Sequence, residues 1–130
     1  MEKNFLRKSE KMKEKFEVDF YRLPNGEVPI EKFLDSLDVK MRSKAIDSLL
    51  LLEEFGNQLR EPHSKYIGNG IFELRIKFSS DIARIFYFFF IGKKIILTNG
   101  FIKKTQKAPK GEILLAKKYK ADYEKRYCNE

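Results

Sequence analysis

Two arginines lie in neighbouring segments of the chain that otherwise have the composition of β-strands. Arg75 occupies a polar position of the run IFELRIKFS, and Arg84 interrupts the apolar run DIARIFYFFFI. A guanidinium group removed from water without a partner is costly, so Arg84 requires an anionic partner. Two kinds of partner stay open: a carboxylate, either that of Glu73 across the turn at 79–81 or another one, or a bound phosphate, which arginine can hold through two parallel hydrogen bonds.

A group of lysines follows these segments. Lys103, Lys104, Lys107 and Lys110 lie within eight consecutive positions of the run FIKKTQKAPK. Mutual repulsion makes this arrangement unfavourable unless solvent or an anion screens the charges. The run is therefore either a solvated turn or part of a site for phosphate groups.

Metal chemistry and nucleophilic catalysis find little support in the sequence. The chain has one histidine, His63, and one cysteine, Cys128, and its carboxylates do not cluster at ligand spacing. We therefore expect no metal. His63 lies in a loop beside Pro62 without a nearby acidic residue, and we interpret it as a surface histidine.

The positive charge is concentrated at the two ends of the chain. The net charge is +8, yet residues 16–100 contain as many acidic as basic side chains, so the excess of +3 and +5 lies in residues 1–15 and 101–130. Such polarity favours a polyanionic partner such as nucleic acid, although lysines that only maintain solubility would give the same count. The sequence lacks a secretory signal and an apolar run long enough to span a membrane, so we expect a cytoplasmic protein.

The periodicity predicts a single α+β domain of order β-α-α-β-β-β-α. Alternation predicts a first strand at 16–21, and helical spacing predicts a helical hairpin from Pro29 to Phe55, with Asp38 as the cap of its second helix and Gly56 as its stop. Residues 57–70 read as loop and turn. A three-stranded antiparallel meander joined by the first strand follows, and a C-terminal helix begins after Pro109. We assign residues 1–15 to a basic N-terminal extension and 16–130 to the domain.

Three segments carry a resemblance to a known family. They are GIFELRIKF at 70–78, DIARIFYFF at 81–89 and GFIKKTQKAPKGEILLAKKYKADY at 100–123. Together they resemble the phage-derived, HigB-like branch of the RelE/ParE superfamily of type II toxin–antitoxin toxins, over about residues 16–126. The third segment is the most specific of the three.

This resemblance implies a RelE-like fold and a ribosome-dependent endoribonuclease that cleaves messenger RNA without a cofactor. It also implies a HigA-like helix-turn-helix antitoxin as partner, with operator DNA bound only through the complex of the two proteins. In such enzymes the 2′-hydroxyl of the RNA attacks the adjacent phosphate, so the protein must orient the nucleotide, neutralise charge and move protons.

The resemblance also assigns roles to residues. Arg75 and Arg84 match strand arginines that stabilise the transition state, while Lys103 and Lys104 match basic residues at the edge of the site, where a lysine could act as general base. Contacts to RNA are expected from Lys77, Lys107, Lys110 and Tyr87. Tyr87 could instead fill the core, and Tyr127 is the one residue near the chain end that could replace the terminal catalytic histidine or tyrosine of some relatives, which leaves the general acid unassigned.

Two other functions remain open at this point. A ParE-like protein of the same fold would inhibit DNA gyrase without cutting RNA. A non-catalytic nucleic-acid-binding protein would explain the charge alone.

Overall fold

The computed structural model describes residues 15–103 and 109–128. Over these ranges the chain is an α+β domain with a five-stranded mixed sheet and three helices. The strands are β1 (Glu17–Phe20), β2 (Ser64–Gly68), β3 (Ile71–Phe78), β4 (Asp81–Phe90) and β5 (Lys94–Lys103), and the helices are α1 (Pro29–Ser36), α2 (Val39–Phe55) and α3 (Lys110–Tyr127). The predicted N-terminal extension lies outside the described residues apart from Lys15.

The sheet has the strand order β1-β5-β4-β3-β2. Strands β2 to β5 form an antiparallel meander, and β1 pairs with β5 in parallel, with Glu17 opposite Lys94 and Phe20 opposite Leu97. The first strand therefore joins the meander as predicted. The last strand of the chain becomes an interior strand of the sheet.

The strand β2 corrects the sequence-based prediction, which treated residues 57–70 as loop and turn. Asn69 and Gly70 both have positive φ angles, 54° and 79°. Two such residues in succession form the tight turn that joins antiparallel strands, and Asn-Gly is the pair that adopts it most readily. The meander thus has four strands, and the observed order is β-α-α-β-β-β-β-α.

The helical hairpin follows the predicted signals. α1 begins at Pro29, and the carboxylate of Asp38 caps α2 by accepting a hydrogen bond from the backbone N–H of Met41 at 2.8 Å. α2 ends at Gly56, whose φ of 49° suits a glycine. Both helices bury one side against the sheet, through Ile30, Leu34, Met41, Ala45, Leu49 and Leu52.

The sheet is covered on both faces. α1 and α2 cover the face that presents Leu74, Ile85 and Leu97. α3 lies on the other face, where Ala116 and Tyr123 pack near Phe86 and Phe88. None of the helices in the described ranges is long and apolar enough to cross a lipid bilayer.

One contact brings α1 very close to the sheet. The aromatic ring of Phe33 lies directly over Gly100 of β5, and a Cβ atom built on Gly100 would approach that ring to 2.4 Å. The position therefore accepts only glycine as long as Phe33 keeps its place.

Candidate functional site

Strand pairing places the charged side chains of the meander on one face of the sheet. Arg75 on β3 lies opposite Arg84 on β4, Lys65 on β2 lies opposite Glu73, and Lys103 on β5 lies opposite Ile82. Residues directly opposite each other in a sheet project to the same side. α3 packs on this side of the sheet over Phe86. The charged side chains lie on the same side, at the end of the sheet that α3 does not cover.

A buried ion pair anchors this end of the sheet. Nη1 of Arg84 lies 2.5 Å from Oε1 of Glu73, and the two residues are 5% and 1% exposed. The sequence left two kinds of partner open for Arg84, and the structure confirms the carboxylate. Within the part of the chain that is described, Oε2 of Glu73 and Nε of Arg84 are buried without a hydrogen-bond partner.

Arg75 shares the same carboxylate from a more exposed position. Its Nε donates to Oε1 of Glu73 at 3.4 Å, and its Nη1 lies 4.0 Å from the exposed Glu61. Glu73 therefore holds two guanidinium groups side by side. Because Arg75 is only partly buried, its side chain can reach a ligand that Arg84 cannot.

Lys103 completes the cluster from β5. Partial burial and the nearby positive charges of Arg84, Arg75 and Lys65 lower the pKa of Lys103 below its ordinary value, and Glu73 opposes this shift. We call Lys65, Arg75, Arg84 and Lys103 the cationic patch. With the carboxylates of Glu73 and Glu61 included, its four cations leave a formal charge of +2.

A cavity of about 390 Å³ opens beside the patch. Its lining includes Arg75, Arg84, Lys77, Ile82, Pro62 and His63. The carbonyl oxygen of His63 accepts a hydrogen bond from the backbone N–H of Arg75 at 2.8 Å, which fixes the histidine at the rim. His63 is exposed, as predicted for a surface residue, but it stands next to two arginines, which the sequence did not indicate.

The remaining predicted residues separate into three groups. Lys77 is exposed at the cavity, and Lys110 is exposed at the first residue of α3. Tyr87 is fully buried among the core residues under α1 and α2, and its hydroxyl forms a hydrogen bond with that of Ser64. Stacking of Tyr87 on an RNA base is therefore excluded by burial, and the core alternative is correct. Lys104 and Lys107 lie outside the described residues.

Tyr127 lies far from the patch. It lines a groove of about 610 Å³ together with Lys94, the first residue of β5. Lys103 is the last residue of that strand, about 30 Å away at the rise of an extended chain. The role at the chain end that was considered for Tyr127 is therefore wrong for this site.

The described residues contain no group of three or more histidine, cysteine, aspartate or glutamate side chains arranged to hold a metal ion. The cationic patch and the cavity beside it bring guanidinium and ammonium groups next to one imidazole. Such a set can bind a phosphodiester, stabilise negative charge on it and exchange protons with it.

The chain matches a known protein family. The family model described as Phage derived protein Gp49-like (DUF891) matches residues 32–121, which is more than half of the chain. That range includes most of α1, all of α2, the whole meander and the greater part of α3. No curated protein matches the chain.

Proposed function

This chain belongs to the Gp49-like family of phage-derived proteins, which is associated with RelE-type toxins of toxin–antitoxin systems, and we propose that it is the toxin of a HigB-like type II pair that cleaves messenger RNA on the ribosome. One observation supports the proposal most: side chains from β2, β3, β4 and β5 converge on one uncovered end of the sheet with a surplus of positive charge. Convergence from four strands is typical of a binding site, whereas lysines that only maintain solubility would scatter.

In the proposed reaction, the 2′-oxygen of a nucleotide forms a bond to the adjacent phosphorus, and the bond from phosphorus to the 5′-oxygen breaks. The proton of the 2′-hydroxyl passes to a base, and the departing 5′-oxygen receives a proton. The products are a 2′,3′-cyclic phosphate and a 5′-hydroxyl. The phosphodiester carries one negative charge and the pentacoordinate transition state carries two, so cations in contact with the phosphate stabilise the charge that develops.

The patch divides this work between exposed and buried groups. Arg75 and Lys103 are accessible and bind the phosphate oxygens, while the buried pair of Arg84 and Glu73 fixes the direction of Arg75. Lys77 binds the RNA beside the scissile position, from the cavity rim. Lys110 is assigned a contact with the same RNA strand, farther from the scissile position.

His63 is our candidate for proton transfer. It stands at the rim of the cavity that Arg75 and Arg84 line. Imidazole is the side chain that gains and loses a proton most readily near neutral pH, so it can serve as base for the 2′-hydroxyl or as acid for the 5′-oxygen. Lys103, whose pKa is lowered, is suited to the other step.

The proposal includes partners and a place of action. The ribosome presents the messenger, a HigA-like helix-turn-helix antitoxin neutralises the toxin, and operator DNA is contacted only through the toxin–antitoxin complex. A target on the ribosome requires the protein to act in the cytoplasm.

Primer extension tests the activity directly. Purified protein is added to a translation extract, and the messenger is examined for new 5′ ends, with the variant Arg75→Ala/Lys103→Ala as the inactive form and Lys117→Ala, an exposed lysine on α3, as the matched control. We expect cleavage by the wild type and by the control alone.

Intact messenger at concentrations that stop translation would contradict the proposal, and inhibition of gyrase supercoiling in parallel would instead identify a ParE-like toxin. Binding of RNA that weakens steeply with salt and leads to no cleavage would identify a non-catalytic protein.

A further inference from the structure

A line of apolar side chains on α2 faces solvent. Val39, Ile46 and Leu50 are 75%, 43% and 58% exposed, although the opposite side of the same helix is buried against the sheet. Single exposed apolar residues are common on protein surfaces. These three, however, are separated by seven and four positions, which places them along one side of the helix. We call them the outer stripe.

The spacing of the outer stripe is that of a helix that packs against another helix. Residues 39, 43, 46 and 50 alternate in steps of four and three, which is the pattern of the contact seam in a coiled coil. Ser43 occupies the fourth position of the seam, and its small side chain leaves room for a larger one from a facing helix. The stripe therefore fits an antiparallel or parallel helix as partner.

The charges beside the stripe distinguish between these directions. The first half of α2 carries the exposed Lys40 and Lys44, and the second half carries the exposed Asp47 and Glu54. Lys40, Asp47 and Glu54 flank the same side of the stripe, seven positions apart. A second α2 that ran antiparallel would place its acidic half beside the basic half of the first.

We propose that the outer stripe binds the outer stripe of a second copy of this chain, with the two α2 helices antiparallel around a two-fold axis between Ser43 and Ile46. In this arrangement Val39 contacts Leu50 of the partner subunit, and Lys40 lies near Asp47 of the partner subunit. Both contacts occur twice, because a two-fold axis makes the interface self-complementary.

The contact surface is small. α2 has 17 residues and is about 25 Å long, so two such helices bury an area at the lower end of the range for specific interfaces. We expect a reversible dimer that forms and dissociates with protein concentration in the micromolar range. Salt weakens it because the flanking ion pairs are exposed.

The dimer leaves the cationic patch open. α2 contributes Ser48 to the cavity beside the patch, but Ser48 is half-buried and lies on the side of the helix away from the outer stripe. The inference is therefore independent of the proposed RNA cleavage, and the two can fail separately.

Sedimentation velocity of the full chain, over a series of concentrations, tests the proposal. We expect a monomer–dimer equilibrium that Leu50→Glu abolishes, while Leu114→Glu, at an exposed leucine on α3, has no effect. A chain that stays monomeric throughout the micromolar range would overturn the proposal. So would a dimer that persists in Leu50→Glu but is lost when residues 1–14 are removed.

A charge exchange tests the antiparallel arrangement itself. Lys40→Glu and Asp47→Lys should each raise the dissociation constant roughly tenfold, because each places like charges together at two symmetric positions. The double variant Lys40→Glu/Asp47→Lys should return it to within about threefold of the wild type, since the attraction is restored with reversed sign. Failure of the double variant to recover would exclude a self-complementary interface, and circular dichroism verifies that each variant is folded.

Discussion

Arg84 and Glu73 form a buried ion pair in which Nη1 of the arginine lies 2.5 Å from Oε1 of the glutamate. The pair lies within the cationic patch. The same oxygen also accepts a hydrogen bond from Arg75. One carboxylate thus fixes two arginines, of which only Arg75 extends toward solvent. The pair is a structural support for the patch, and Arg75 is the better residue at which to test the chemistry.

Breaking the buried pair should destabilise the protein strongly. Glu73→Leu leaves the guanidinium of Arg84 buried without its counter-charge, which typically costs about 3–5 kcal/mol in the free energy of unfolding. The double variant Glu73→Leu/Arg84→Met removes both charges and should recover most of that loss. Urea unfolding measures both, with Glu61→Leu as the exposed control. A change below about 1 kcal/mol for Glu73→Leu would contradict the assignment.

Arg75→Ala should separate activity from stability. Because Arg75 is partly exposed, its removal should change the free energy of unfolding by less than about 1 kcal/mol. The rate of messenger cleavage should fall by about 100- to 1,000-fold, as for the loss of one charge-stabilising donor. Arg75→Lys should recover only part of the rate, because an ammonium group cannot make two parallel hydrogen bonds to a phosphate. Equal rates for the wild type and Arg75→Ala would remove Arg75 from the site.

His63→Gln should slow cleavage by about 100- to 10,000-fold if the imidazole transfers a proton. The variant should also change the dependence of the rate on pH, because a carboxamide cannot take the place of an imidazole in proton transfer. The measurement is the single-turnover rate on ribosomes over a series of pH values. A slower rate with an unchanged pH profile would indicate that the His63 side chain has no part in proton transfer, since the backbone carbonyl that contacts Arg75 is retained in His63→Gln.

Gly100→Ala should be destabilising because the new methyl group meets the ring of Phe33. Overpacking of this kind typically costs about 1–3 kcal/mol. Phe33→Ala removes the ring, so the double variant should be less destabilised than the sum of the two single changes. Thermal unfolding followed by circular dichroism gives all three values, and strict additivity would show that the contact is unimportant.

Ionisation of Tyr21 makes the stability of the folded protein depend on pH in the alkaline range. Burial, and then the hydrogen bond from its hydroxyl to Asp122, raise the pKa of Tyr21 from 10.0 to about 12. The unfolded chain loses this proton near pH 10 and the folded chain only near pH 12, so the contribution of Tyr21 to stability is complete below pH 10 and is lost between these values. Tyr21→Phe should weaken this loss and cost about 1–2 kcal/mol at neutral pH. The ultraviolet absorbance of tyrosinate during an alkaline titration tests the shift.

Local signals predicted the helices well. Asp38 and Gly56 bound α2 because a capping carboxylate and a left-handed glycine act within a few residues of the helix end. The strand β2 was missed because it is only five residues long and alternates poorly. The Asn69–Gly70 pair that precedes β3 was the available signal, since such a turn joins two strands and β3 alone cannot supply both.

The candidate site was predictable in part, because some of its contacts also follow from the residues near each other in the sequence. The need of Arg84 for a counter-charge is a property of the residue and its apolar surroundings, so sequence reasoning reached Glu73 as a partner. Lys65 was missed together with β2, because only strand pairing brings it beside Glu73. The position of His63 depends on the hydrogen bond that its carbonyl oxygen accepts from the backbone N–H of Arg75 in β3, which no spacing in the sequence encodes.

Because β1 pairs with β5, the sheet can be completed only late in the synthesis of the chain. During translation β1 emerges first, but its neighbour in the sheet is completed only when residues 94–97 have been made. A nascent chain that stops before β5 lacks the strand that joins β1 to the meander and also lacks Lys103. The complete sheet and the complete cationic patch therefore form only after β5 has been synthesised.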